Sequence, residues 1–162
     1  MDENEIKQLK DLIDNKQIKQ LKEILNDINE ADFPNIFENL DEDKTIMVYR
    51  LLSKEKAAEV FVELDSDNKE KLLNDLTDKE IKNVMNELYM DDATDLIEEM
   101  PSNVVKRILA NTKPEDRKII NELLKYPEDT AGTIMTTEFI DLKENMTVKE
   151  AFQRIKKKGM DS

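Results

Sequence analysis

From Leu40 to Leu124 the apolar positions return every twelve residues. Leu40, Leu52, Leu64, Leu76, Leu88 and Met100 hold one phase, Thr112 interrupts its type, and Leu124 restores it. Eight residues after each start stands a second apolar side chain: Val48, Val60, Leu72, Val84, Leu96, Ile108 and Ile120. Twelve steps of about 100° turn a helical stripe by about 120° per repeat, so one straight helix cannot keep these side chains on one face. The chain must break once in each repeat. Helix starters follow the phase residue at Asp41, Ser53, Asp65, Thr77 and Pro101, and Thr77 with Glu80, like Thr112 with Glu115, has capping-box spacing. The pattern predicts short helices of about two turns, each burying its apolar face on its neighbours in a stacked superhelix.

The flanks differ from the repeats. Ile6, Leu9, Leu12, Ile13, Ile18, Leu21, Ile24, Leu25 and Ile28 form a stripe at spacings of three and four, which predicts two amphipathic helices with a turn near Asn15. Asp32-Phe33-Pro34 then offers a cap with proline close behind it. Beyond the repeats, Tyr126-Pro127 must end the helical pattern, because proline pushes the preceding residue out of the helical region. Gly132 follows, and Glu138-Phe139-Ile140-Asp141-Leu142 alternates like a short strand. Thr147 with Glu150 forms a third capping box, opening a helix through Phe152 and Ile155 that Gly159 closes. The expected organisation is an all-α, right-handed superhelical domain over residues 1–126, a junction over 127–137, and over 138–162 a strand and helix that begin a second, truncated module.

Composition narrows the chemistry. The 38 acidic and 25 basic side chains leave a net charge of −13, which disfavours nucleic acid and anionic lipid as partners and favours cations or a basic protein face. Cysteine and histidine are both absent, removing the usual ligands for zinc, copper and iron and the usual base for nucleophilic catalysis. A bound metal would be a hard one, served by oxygen: magnesium, calcium or manganese. No phosphate loop, nucleophile–base pair or triad stands in the sequence, so no enzymatic activity is expected. No apolar run approaches the length of a bilayer span and the charged start does not resemble a signal peptide, so a soluble, intracellular chain without direct membrane insertion is expected.

Among the carboxylates, Asp91-Asp92-Ala93-Thr94-Asp95 is the densest candidate for Mg²⁺, with three acids within about one helical turn. The plainer reading is that Asp91 and Asp92 cap a helix and complement its dipole. The same DDxxD letters hold metal-bridged diphosphate in prenyl-diphosphate enzymes, but here the motif is single and the chain too short for that fold. Glu59, in Ala57-Ala58-Glu59-Val60, has small neighbours that leave space for another surface. Asp41-Glu42-Asp43 and Asp65-Ser66-Asp67 are most simply caps, and Lys156-Lys157-Lys158 complements the end of a last helix.

Tyr126-Pro127-Glu128-Asp129-Thr130-Ala131-Gly132, followed by Met135-Thr136, resembles the junction in MgtE-type magnesium transporters between an acidic superhelical N-domain and the first of two CBS (cystathionine-β-synthase) modules. Lys56-Ala57-Ala58-Glu59-Val60 and Met90-Asp91-Asp92-Ala93-Thr94-Asp95-Leu96 are similar to repeat segments of that family, and Asn145-Met146-Thr147-Val148-Lys149-Glu150-Ala151 to the opening of its first CBS module. The resemblance implies a cytosolic Mg²⁺-sensing region of a homodimeric transporter, in which ions bridge the N-domain and CBS modules and favour a closed membrane pore. It implies Glu59 and Asp91 as side-chain ligands, a backbone carbonyl near Gly132 and Thr133, and Asp92 and Asp95 as outer or alternative ligands. Thr133 stands where the family can have a second glycine. The helical repeats alone also suit a FliG-like interaction scaffold, with an acidic surface for protein partners and no metal role.

Overall fold

The computed structural model describes residues 3–127 and 129–158. Two amphipathic helices open the chain, α1 (Glu3–Asp14) and α2 (Ile18–Asp27), joined through Lys16 at φ 53°. They bury Leu9, Leu12, Ile13, Leu21 and Leu25 against each other and the body of the protein. A single 3₁₀ turn at Glu30–Asp32, capped by the Asn29 side chain, leads into the short α3 (Phe33–Glu38), with Pro34 in its first turn. Phe33 and Phe37 meet edge to face there, with ring centroids 5.8 Å apart.

Seven helices of ten residues each then follow in strict register: α4 (Glu42–Leu51), α5 (Lys54–Glu63), α6 (Ser66–Asp75), α7 (Asp78–Glu87), α8 (Met90–Glu99), α9 (Ser102–Asn111) and α10 (Pro114–Leu123). At about three turns they are longer than the expected two, because the break takes only two residues. Those two residues, such as Leu52 and Ser53 or Leu64 and Asp65, both have extended backbone with ψ near 150°. The first belongs to the twelve-residue phase and tucks into the core: Leu64, Leu76, Leu88, Met100 and Thr112 are all buried. The second is the N-cap of the next helix. Each break reverses the chain, so helices pack on their second neighbours: α5 on α7, α7 on α9 and α8 on α10. Val48, Val60, Leu72, Val84, Leu96, Ile108 and Ile120 lie at the centre of the resulting core.

Capping follows the sequence in part. Ser53 accepts from the Lys56 N–H, Asp65 from the Asn68 N–H, and Thr77 with Glu80 forms the complete box. The Thr112–Glu115 box does not form. Thr112 holds the buried phase position and its hydroxyl donates back to the Ile108 carbonyl at 2.9 Å, so Lys113 starts α10 instead. At the α6–α7 break, arginines from other helices add to the Thr77–Glu80 box. Arg107 of α9 donates to the Leu73 carbonyl at 2.7 Å, to the Leu76 carbonyl and to Asp78 at 2.8 Å. Arg50 of α4 reaches the Asp75 carbonyl and grips both oxygens of Glu80 at 2.8 and 3.2 Å. One guanidinium from each side thus joins the end of α6 to the start of α7.

After α10 the chain turns through Asp129, at φ 60°, into a 3₁₀ turn at Ala131–Thr133. The expected strand at 138–142 does not form: no strand occurs among the described residues, and Phe139, Ile140 and Leu142 are exposed. The Thr147–Glu150 box does form and opens α11 (Val148–Lys158). Gly159, expected to close it, lies outside the described residues. α11 leaves Val148, Phe152 and Ile155 exposed along one side. No helix among the described residues is long and apolar enough to cross a membrane.

Candidate metal centre

Asp91, Asp92 and Asp95 stand on α8, whose start follows from the repeat register and not from a cap of its own. Tyr89 holds the N-cap position and offers no side-chain bond. Asp91 and Asp92 are therefore the second and third residues of the first turn, near the positive end of the helix dipole, and neither is the cap. That role falls to Glu138, whose Oε2 accepts from the Met90 N–H at 3.0 Å.

The six candidate ligands fall on two adjoining places. Asp91 and Asp95 line a crevice of about 10 Å³ together with Glu98, Leu123, Gly132, Thr133 and Met135, where the 3₁₀ turn lies against α8 and α10. That is about the space of one water or one small ion. One oxygen of Asp91, Oδ1, is buried without a hydrogen-bond partner among the described residues. Glu59 and Asp92 line a different and far larger groove of about 710 Å³ between α5 and the start of α8. Among the described residues, eight acidic ones (Glu30, Glu55, Glu59, Glu63, Glu87, Asp92, Asp116 and Glu138) and a single basic one, Lys113, line it. The structure thus joins Asp91 with Gly132 and Thr133, and Glu59 with Asp92, and it does not bring all six into one coordination sphere.

The electrostatics match this crowding. Burial first, then the neighbouring Asp91 and Asp95 charges, pushes the Asp92 carboxyl up, with Lys69 acting the other way. Burial, then Glu99 and Asp91, does the same to Asp95, again against Lys69. Glu30 differs: the Lys56 ammonium, then a backbone donor, hold it below the ordinary range. Lys56 also donates to the Ile28 carbonyl at 2.6 Å, so its charge is used within the fold.

Gly132 is needed for proximity and not for a left-handed backbone, since its φ lies outside that region. A Cβ there would stand 2.2 Å from Cδ1 and 2.3 Å from Cγ of Tyr126. The turn is fastened by its threonines: Thr130 donates to the Pro127 carbonyl and Thr133 to the Thr130 carbonyl, both at 2.8 Å.

All of these donors are oxygens, as a hard cation requires. Among the described residues, however, no group of three or more acidic side chains converges closely enough to enclose a metal. The Asp91 oxygen fits the first contact of a cation whose other positions are filled by water, a backbone carbonyl or a second surface. Of the groove carboxylates, sequence reasoning singled out Glu59 and Asp92 and passed over Glu30, Glu55, Glu63, Glu87, Asp116 and Glu138. A signal for Glu55 and Glu63 existed, since Glu55, Glu59 and Glu63 are four apart and share one helix face.

Comparison with known proteins supplies the family. The model of the MgtE intracellular N domain matches residues 28–129. Magnesium transporter MgtE of Bacillus subtilis (strain 168) is 29% identical over 66 residues, 41% of this chain and 15% of that protein. Magnesium transporter MgtE of Enterococcus faecalis (strain ATCC 700802 / V583) is 48% identical over 42 residues, 26% of this chain and 9% of that one. The crystal structure of the soluble part of a magnesium transporter superposes at TM-score 0.82 with 27% identity, covering 98% of this chain and 62% of that chain. That of the cytosolic domain of the Mg²⁺ channel MgtE in complex with ATP superposes at 0.84 with 27% identity, covering 95% and 63%. The matches thus span less than two thirds of each of these proteins. With the family model covering most of its length, this chain belongs to the MgtE intracellular N domain family.

Proposed function

We propose that this chain senses Mg²⁺ on the cytosolic side of an MgtE-like magnesium transporter, through an acidic face that closes on the CBS modules of the same protein when ions neutralise it. Residues 1–126 form the sensing domain, 127–137 the joint, and 138–162 the first part of the adjoining module. Asp91 and Glu59 serve as side-chain ligands, Gly132 or Thr133 offers a backbone carbonyl, and Asp92 and Asp95 act through waters or as alternative ligands. Bare carboxylate faces repel, and ion occupancy shifts the population toward the compact arrangement that favours a closed pore. The pore and a second protomer belong to the whole protein, and catalysis has no part in this role.

The observation that carries the reading is the buried, unpartnered oxygen of Asp91 beside the junction turn. A buried polar atom without a partner costs about 1 to 3 kcal/mol, and more when it is charged, a cost that a cation would relieve. Mg²⁺ retains much of its water and needs few protein oxygens, in keeping with a site divided between surfaces. This chain alone would then bind in the millimolar range or more weakly, about 4 kcal/mol or less.

The test is protease protection of the intact transporter across a Mg²⁺ titration. Mg²⁺ is expected to slow cleavage within 127–137, and the double variant Glu59→Ala, Asp91→Ala to lose that protection. Equal protection in wild type and double variant, or none in wild type, removes the sensor reading in favour of the FliG-like scaffold.

A further inference from the structure

Lys69 of α6 faces the carboxylate row of α8 at Glu99, yet it is not committed to a tight pair. Its ammonium lies 3.6 Å from Glu99 Oε2, beyond a short hydrogen bond, although the side chain is only 14% exposed. Glu99 already accepts from the Ser66 hydroxyl at 3.0 Å through that same oxygen. As the last residue of α8, Glu99 meets the negative end of the helix dipole, so it too requires a positive neighbour. The lysine also acts electrostatically on Asp92 and Asp95, against burial and the repulsion of the neighbouring carboxylates. Arg50, Lys56 and Arg107, by contrast, are each fixed by backbone carbonyls as well as by a carboxylate.

We infer that Lys69 is a tethered counterion: it offsets the α8 carboxylates while no divalent ion is bound, opposes the arrival of Mg²⁺, and so sets the concentration at which the acidic face fills. This rests on the Mg²⁺ reading above and adds to it an element of the chain that raises the threshold. The stem of Lys69 is mostly buried and its ammonium is held to Glu99 only at 3.6 Å, so little is broken as an ion enters.

The experiment is a Mg²⁺ titration of the 162-residue chain at constant ionic strength, read from the amide resonances of residues 90–99. Lys69→Met, which keeps the stem and removes the charge, is expected to lower the half-saturation concentration about three- to tenfold, the effect of a unit charge near a divalent ion under aqueous screening. Lys69→Arg should stay within about twofold of wild type. Lys22→Met, on α2, removes the same net charge elsewhere and should also leave the half-point within about twofold. An unchanged half-point in Lys69→Met, or an equal decrease in Lys22→Met, overturns the inference while leaving the Mg²⁺ reading in place. Absence of any saturable response in wild type defeats both. Circular dichroism of each variant verifies the fold, and Lys69→Gln replaces Lys69→Met if the apolar head prevents folding.

Discussion

Glu138 Oε2 accepts a hydrogen bond from the Met90 N–H at 3.0 Å, across 48 residues of sequence. It supplies the cap that Tyr89 cannot, and places a negative charge at the positive end of α8. The same carboxylate lines the acidic groove with Glu59 and Asp92, whose charge it repels. One bond therefore ties the segment beyond the junction to the helix that bears the candidate ligands.

Removing that cap should loosen both partners. Glu138→Ala is expected to lower stability by about 0.5 to 1.5 kcal/mol, the range for loss of an N-cap acceptor. The more selective reading is amide exchange: Met90 should exchange markedly faster, with the core amides of α5 and α7 nearly unchanged. Unaltered Met90 exchange would show that the cap has no energetic weight.

The Tyr126–Gly132 contact makes a second, coupled prediction. Gly132→Ala must displace the Tyr126 ring, since a Cβ would stand 2.2 Å from it. The ring is 45% exposed and has solvent to swing into, so the loss should stay near 1 kcal/mol, at the low end for overpacking. With φ of Gly132 outside the left-handed region, alanine carries no backbone strain there. In Tyr126→Ala the same Gly132→Ala change should therefore cost nothing, and a double-mutant cycle of urea midpoints reads the coupling. An equal loss in both backgrounds contradicts the steric explanation.

Arg107 should be harder to replace than any surface lysine. Its guanidinium serves two carbonyls at the end of α6 and Asp78 at the start of α7, a fork that an ammonium cannot reproduce. Arg107→Ala is expected to cost about 1.5 to 3 kcal/mol in denaturant unfolding, mostly by leaving helix-end carbonyls without a donor. Arg107→Lys should recover less than half of that.

Glu80 contributes an acid-sensitive part of the stability. Arg50 first, with Thr77, holds its carboxyl at about 2 from an ordinary 4.5, against the cost of partial burial. A carboxylate lowered on folding stabilises above its unfolded value, and that contribution is lost as pH falls through the folded value. Between about pH 4.5 and 2 the wild type should therefore lose stability more steeply than Glu80→Gln. Thermal melts across that window, at fixed salt, distinguish parallel from converging curves. Parallel curves would assign the acid loss to other carboxylates.

How far the sequence carried these results depended on the range of the interaction. The twelve-residue period reports local geometry, so the helix starts at Asp41, Ser53, Asp65, Thr77 and Pro101, the core positions and the side-chain caps at Ser53, Asp65 and Thr77 were legible. Thr112 misled because capping-box spacing was weighed above the register, which already placed that residue in the buried phase of Leu64 and Leu76. Glu138–Met90 and Lys69–Glu99 left no trace in spacing, since each joins elements brought together only by the stacking of helices. The alternation at 138–142 met the local condition for a strand, but a sheet also needs a second strand, and none occurs among the described residues.

The nearness of Asp91 to Gly132 came from family resemblance, and its energetic consequence comes from the structure. A buried oxygen without a donor costs about 1 to 3 kcal/mol. The helix-dipole benefit of an acid in the first turn is about 0.3 to 1 kcal/mol. The first effect is the larger, so Asp91→Ala should be as stable as wild type or more so in a chelating buffer. Glu59 is exposed, and Glu59→Ala should change chelated stability little. On the proposed Mg²⁺ reading, added Mg²⁺ should reverse the order, because an ion bound only by the folded state raises stability by about 1.4 kcal/mol at ten times its dissociation constant. Asp91→Ala should lose most of that increment. Paired melts with chelator and with excess Mg²⁺ at equal ionic strength measure both halves. A variant that is less stable in chelator yet gains as much from Mg²⁺ as wild type would make Asp91 a structural helix-start acid and not a ligand.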